Sequence, residues 1–121
     1  MSLPPDNGLF MPEKIPQLRP EFIANLKNEN VASIGYEISK TLLGDDIPHD
    51  VLKKICNEAF SFPVNVVNVH NNTYVCELFH GPTLAFKDFG ARFMSRVMSY
   101  LNRKHTTPLT ILVATSGDTG G

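Results

Sequence analysis

From Val31 to Leu43 the apolar residues Val31, Ile34, Ile38 and Leu42 return every three or four positions, the spacing of one helical face, and Gly44 ends the run. The spacing predicts a helix over 31–43. The stretch "DDIPHDVLKKICNEAF" repeats the logic: Val51, Leu52, Ile55 and Ala59 share one stripe, Pro48 suits a first helical position, and a second helix should run to about Phe60. After Pro63 the period falls to two. "VNVVNVH" and "TYVCELF", rich in β-branched and aromatic residues, flank the turn pair Asn71-Asn72 and read as a hairpin. A third helix is expected from roughly Phe86 to Asn102. "LTILVAT" at 109–115 is an unbroken apolar run of the kind that forms a parallel strand buried on both faces.

Ahead of these elements, Pro4, Pro5, Pro12, Pro16 and Pro20 exclude a regular helix. Residues 1–20 therefore read as an extended arm, with a short edge strand near Leu9 to Met11, and Glu21 to Leu26 as a helical turn. The order is ααββαβ, an α/β chain whose sheet is incomplete: an arm over 1–20, a helical part over 21–62, and the start of an α/β domain over 63–121. The sequence closes on the glycine-rich "SGDTGG" with no helix after it, whereas a parallel strand needs a crossover and a covered face. The expectation is the N-terminal part of something larger.

Composition narrows the function classes. The 121 residues are 42% hydrophobic and 19% charged with a formal net charge of −1, the balance of one soluble globular unit with no electrostatic footprint for nucleic acid or an anionic membrane. Cys56 and Cys76 lack metal-ligand spacing and read as reduced thiols of an intracellular protein; no metal site is expected. No apolar stretch approaches the roughly 20 residues of a membrane span, and the first residues lack a signal-peptide pattern, so the expected address is the cytoplasm.

The chemistry lies in "HGPTLAFKDFGARFM", residues 80–94. On a helical wheel, Asp88, Arg92, Ser95, Arg96 and Ser99 fall in a polar arc of roughly 100°, and Phe86, Phe89, Phe93, Met94, Val97, Met98 and Leu101 fill the remainder. Lys87 lands between Met94 and Met98, the one charged residue on the expected buried face, with Gly90 beside it to admit a close neighbour. Such a lysine snorkels, pairs with a carboxylate or loses its proton. Burial and the positive end of the helix both favour the neutral amine, the form that nucleophiles and Schiff bases require. A second constellation, "VATSGDTGG", sets Thr115, Ser116, Gly117, Asp118, Thr119 and Gly120 at a strand's carboxyl end, where open α/β sheets bind ligands. Its N–H groups and hydroxyls suit a carboxylate or phosphate. Asp118 repels anions, so it would orient a hydroxyl or cap a helix; a plain strand-to-helix turn explains the same residues.

Together, "ELFHGPTLAFKDFGARFM" and "ILVATSGDTGG" closely resemble the threonine synthase family, pyridoxal 5'-phosphate (PLP) enzymes of the tryptophan-synthase-β-like fold type II. The opening "PPDNGLFMPEKIP" resembles that family's arm, with Asn7 where glycine is usual, a turn position that asparagine tolerates. The resemblance implies that Lys87 binds the cofactor aldehyde as a Schiff base and shuttles protons, with Phe86 packed beside the cofactor and Asp88 on the polar side of the helix, paired with Arg92. It further implies that Thr115, Ser116, Gly117, Asp118 and Thr119 cradle the substrate carboxylate, with Asp118 also near the cofactor ring. His80, Gly81, Pro82 and Thr83 would form the loop into the lysine helix.

The implied reaction converts O-phospho-L-homoserine and water to L-threonine and phosphate. The family's phosphate loop falls beyond Gly121, so the partner of this chain would be the remainder of the enzyme and residues 1–121 would be inactive alone. Other fold type II enzymes, the threonine dehydratases and cysteine synthases, typically show serine or asparagine before the lysine and "SGNTG" in the loop, unlike Phe86-Lys87-Asp88 and "SGDTG" here. A phospho-lyase paralogue could keep every motif. A non-catalytic homologue that binds a phosphorylated metabolite is the alternative from outside the enzyme class.

Overall fold

The computed structural model describes residues 4–117, 119 and 120. An extended arm turns at Asn7, whose φ of 59° asparagine accepts at low cost; the Asn7 N–H donates to the Pro4 carbonyl at 3.0 Å. The edge strand expected near Leu9 to Met11 does not form. Those side chains are exposed and no described strand pairs with them, which leaves the ladder without partners. Helix α1 (Pro20–Asn25) opens on a proline, whose missing N–H is no loss at a helix start, and buries Phe22; a 3-10 turn, Leu26–Asn28, follows.

Helix α2 (Val31–Leu43) has the expected bounds because both caps are local. The Asn30 side chain accepts from the Ser33 N–H at 2.9 Å, and Gly44, at φ 57°, donates its N–H to the Lys40 carbonyl at 2.9 Å. Helix α3 (His49–Ala59) begins one residue later than its sequence suggests: Pro48 is the N-cap, with ψ 139°, and its carbonyl accepts from the Leu52 N–H at 2.9 Å. Its buried stripe is Leu52, Ile55, Cys56 and Ala59, with Val51 only half-buried.

Ile47, Leu52 and Cys56 form the centre of the core, overlaid by Tyr36 and Leu43 of α2, by Phe60, and by Phe93, Val97 and Tyr100 farther along the chain. Burying a residue such as Leu52 contributes about 1.5–3 kcal/mol. The α2–α3 approach is close enough at Gly35 that the Phe60 ring fills the place a Cβ would take. Burial pushes the Cys56 thiol above the ordinary thiol range, partly offset by its hydrogen bond with Ser39.

The hairpin forms as read, from β1 (Asn65–His70) and β2 (Thr73–Glu77), antiparallel with Val67 opposite Val75 and an irregularity between Asn68 and His70. Asn71 supplies the left-handed turn residue at φ 46°. Helix α4 (Lys87–Asn102) follows and packs on α3. The parallel strand expected at 109–115 is absent. The two strands among the described residues pair with each other, so this segment has no ladder, and Leu109, Ile111, Leu112 and Val113 stay exposed. The architecture is α/β, with α2 and α4 packed on α3 and the expected two-stranded antiparallel hairpin as the sheet among the described residues, without the expected parallel strand.

Candidate active site

Two faces of α4 set the site, and they are turned from the wheel's expectation only in part: Phe89, Phe93 and Val97 face inward and Ser95 and Ser99 outward as expected. The charged members of the expected outer arc turn inward: Asp88 is the buried residue of the helix, at 5% exposure, and Arg92 and Arg96 are half-buried. The cause is the carboxyl end of α3, whose last carbonyls lack helical donors. Arg92 supplies them, donating from Nε to the Ala59 carbonyl at 2.8 Å and from Nη2 to the Glu58 carbonyl at 2.7 Å and to Ser61 Oγ at 2.9 Å. Arg96 Nε lies 3.4 Å from Glu58 Oε2, an ion pair too poorly aligned to count as a hydrogen bond. Arg92 therefore serves α3 and is not the partner of Asp88. The face bearing Lys87, Gly90, Met94 and Leu101, expected to be buried, is more open: Met94 and Leu101 are more than half exposed, and among the described residues no atom outside the helix's own backbone lies within 4 Å of where a Gly90 Cβ would sit.

The loop into α4 is built on Asp88. Thr83 donates its N–H to Asp88 Oδ2 and its hydroxyl to Asp88 Oδ1, each at 3.0 Å. Gly81 is buried against the same carboxylate, which occupies the space of a Cβ. The Leu84 N–H donates to the Gly81 carbonyl at 3.1 Å and Leu84 takes φ 58°, a conformation that costs a leucine about 1–2 kcal/mol. Phe86 occupies the N-cap without a side-chain cap bond, so the negative charge at this helix start comes from Asp88 in the first turn. Lys87, the first residue of α4, is half-buried, and Phe86 beside it is exposed. Ahead of the loop, His80 Nε2 meets Glu77 Oε2 at 2.7 Å.

In the 115–120 segment the Thr115 hydroxyl accepts from the N–H groups of Gly117 at 3.1 Å and Thr119 at 3.3 Å. Gly117 takes φ 131°, where a side chain would be strained, and a Cβ on Gly120 would come 2.5 Å from Thr115 Cγ2. Ser116 is exposed on this turn. Asp118, assigned above to cofactor and substrate, lies outside the described residues.

The family model described as threonine synthase N terminus matches residues 1–60. Threonine synthase of Buchnera aphidicola subsp. Baizongia pistaciae is 43% identical over 121 residues, covering 99% of this chain and 28% of its own length. That of Escherichia coli K12 is 41% identical over 115 residues, covering 95% and 26%. The solved E. coli threonine synthase superposes with a TM-score of 0.87 at 40% identity, over 98% of this chain and 27% of that one. The chain belongs to the threonine synthase family. A PLP-bound threonine synthase from Brucella melitensis also matches, with a TM-score of 0.77 at 31% identity over 83% of this chain. The chain spans about a quarter of the length of these relatives.

In this family member, Phe86 and Lys87 stand at the head of α4, and Thr115, Gly117 and Thr119 meet in one turn. Sequence reading placed Gly81 and Thr83 in the loop and Asp88 on the polar side of the helix, and missed that the Asp88 carboxylate joins them. The signal for this was an aspartate in the first turn of a helix whose N-cap is a phenylalanine, which leaves that carboxylate seeking donors in the loop before it. No helix among the described residues is long and apolar enough to cross a membrane.

Proposed function

We propose that this threonine synthase family member, at full length, converts O-phospho-L-homoserine and water to L-threonine and phosphate on a fold type II scaffold, with PLP held by Lys87. The observation that carries the reading is the placement of Lys87: it is the first residue of α4, after a loop tied down by Asp88, at the head of an open apolar face. That face fits the cofactor. It combines one primary amine with exposed Phe86 and Met94 and with a Gly90 whose Cβ position no described side chain fills, a lining that suits a flat aromatic group.

When bound, PLP supplies the electron sink for the reaction. The chain's own residues hold and move protons and bind the substrate. Lys87 Nζ would hold the cofactor through its aldehyde and, when not so engaged, would carry protons to and from the substrate. Phe86 and Asp118 would join Lys87 in holding the cofactor. Thr115, Ser116, Gly117, Asp118 and Thr119 form the substrate carboxylate site. Here the neutral Thr115 hydroxyl holds the Gly117 and Thr119 N–H groups, and a carboxylate replacing it would make charge-assisted bonds about twice as strong. The cofactor's phosphate loop is assigned to residues beyond Gly121, so the remainder of the enzyme completes the site and 1–121 alone is inactive. The same reading expects a cytoplasmic enzyme.

The test is borohydride reduction of the full-length protein loaded with PLP, followed by peptide mapping. The reduced pyridoxyl group is expected on Lys87; finding it on Lys40, Lys53 or Lys54 overturns the assignment.

A further inference from the structure

We propose that Asp88 is a positioning residue for Lys87, acting through Thr83, an inference that rests on Lys87 being the reactive amine. Asp88 is buried, and a buried carboxylate is tolerated only where donors meet it. Each of its oxygens accepts one bond from Thr83, so the two residues close a ring of backbone from 83 to 88 that contains Lys87. The chain is tightened further in and next to this ring, since the Asp88 N–H donates to the Ala85 carbonyl at 3.1 Å and the Phe89 N–H to the Phe86 carbonyl at 3.2 Å. These short-range bonds leave the first turn of α4 little freedom to rotate.

Two further features are costly unless the ring is closed. Leu84 is held in the left-handed region, a state that persists only where its surroundings over-determine it. Position 81 must lack a Cβ, because the Asp88 carboxylate occupies that space. An ordinary helix start asks only for a side-chain acceptor at the N-cap, where Phe86 stands with none. The carboxylate has instead been moved two residues into the helix, where it fixes the loop on the far side of the lysine. Asp88 thus sets the direction in which Lys87 leaves the helix.

The experiment uses full-length protein stripped of cofactor and compares wild type with Thr83→Val, Thr83→Ser and Asp88→Asn. Hydrogen exchange at the position-83 amide reports the ring. Trace acetylation of Lys87 as a function of pH, referenced to Lys53 and Lys54 in the same sample, reports the placement of the amine. Thr83→Val and Asp88→Asn should speed exchange at position 83 by about tenfold, the fold-change for one weakened hydrogen bond, and should shift the acetylation profile of Lys87. Thr83→Ser keeps the hydroxyl and should match wild type in both. Thr83 is exposed, so Thr83→Val keeps the test sound if Asp88→Asn misfolds. An unchanged Lys87 profile in Thr83→Val despite faster exchange overturns the proposal, as does Thr83→Ser behaving like Thr83→Val. Both readouts are free of cofactor, so a wild-type protein that fails to attach PLP to Lys87 refutes the functional reading while these arms still judge the ring.

Discussion

The two faces of α4 show that burial follows partners more closely than it follows hydropathy. The inner face carries Asp88, Arg92 and Arg96 among Phe93, Val97 and Tyr100, and it is the polar members that make the directional contacts to Thr83 and to the carboxyl end of α3. The outer face carries Lys87, Gly90, Met94 and Leu101 and leaves much of its apolar surface exposed. A large exposed apolar patch marks a place where something binds. In this family member it is the face on which we place the cofactor, and under that proposal one helix would separate structural polarity on one side from the cofactor-binding amine on the other.

The largest effect should come from the outer face. In the full-length enzyme Lys87→Ala should lower threonine formation by about 10³-fold or more, in line with the loss of a covalent and proton-transferring group, while the melting temperature stays close to wild type because alanine favours helix. Activity within tenfold of wild type would break the division between the faces. Arg92→Met on the inner face should do the reverse. It leaves the Glu58 and Ala59 carbonyls without their donors and should cost about 2–4 kcal/mol in urea unfolding. Met94→Ser, measured beside it, reads whether the rest of the protein covers the outer face: an open site should lose less than about 0.5 kcal/mol.

Reading the sequence located α2, α3 and the hairpin because their determinants are local. Asn30, Gly44 and the Asn71-Asn72 turn act within a few residues of the elements they bound. The head of α4 was legible for the same reason, and so was Lys87 upon it. The facing of α4 was not, because the partners of Arg92 are carbonyls of α3 that no periodicity along α4 can reveal. The strands at Leu9 to Met11 and at 109–115 failed in the same sense: apolar content can nominate a strand, but a ladder needs a neighbour, and the described residues offer these segments none. The Asp88–Thr83 ring lay between the two cases, close in sequence yet hidden by the assumption that a charged residue on a helix faces water.

A smaller effect separates the lysine from the 115–120 turn. If that turn holds the substrate carboxylate, Ser116→Ala or Thr119→Val in the full-length enzyme should weaken binding of O-phospho-L-homoserine by about 10- to 150-fold, the loss of one hydrogen bond to a charged group. The visible spectrum of the bound cofactor should hardly move. Loss of cofactor with unchanged substrate affinity would assign the turn to the cofactor instead and would pull it into the outer-face site.

The smallest effect tests the core on which the inner face rests. Cys56 is fully buried and burial holds its thiol above the ordinary value of about 8.5, while Cys76 is exposed; both are free. A folded thiol with a raised value keeps its proton longer than the unfolded chain does. Its contribution to stability is therefore complete below about pH 8.5 and declines as pH rises from there toward the folded value, because the unfolded thiol ionises first. The decline cannot exceed about 1.4 kcal/mol per pH unit for one group. Subtracting the pH dependence of a Cys56→Ala variant removes the tyrosines and lysines that titrate in the same range. The wild-type protein should show the steeper alkaline loss, and maleimide should modify Cys76 well before Cys56. Equal alkaline slopes, or equal labelling rates at native pH, would mean that the α3–α4 contact opens readily and that the inner face is no more closed than the outer one.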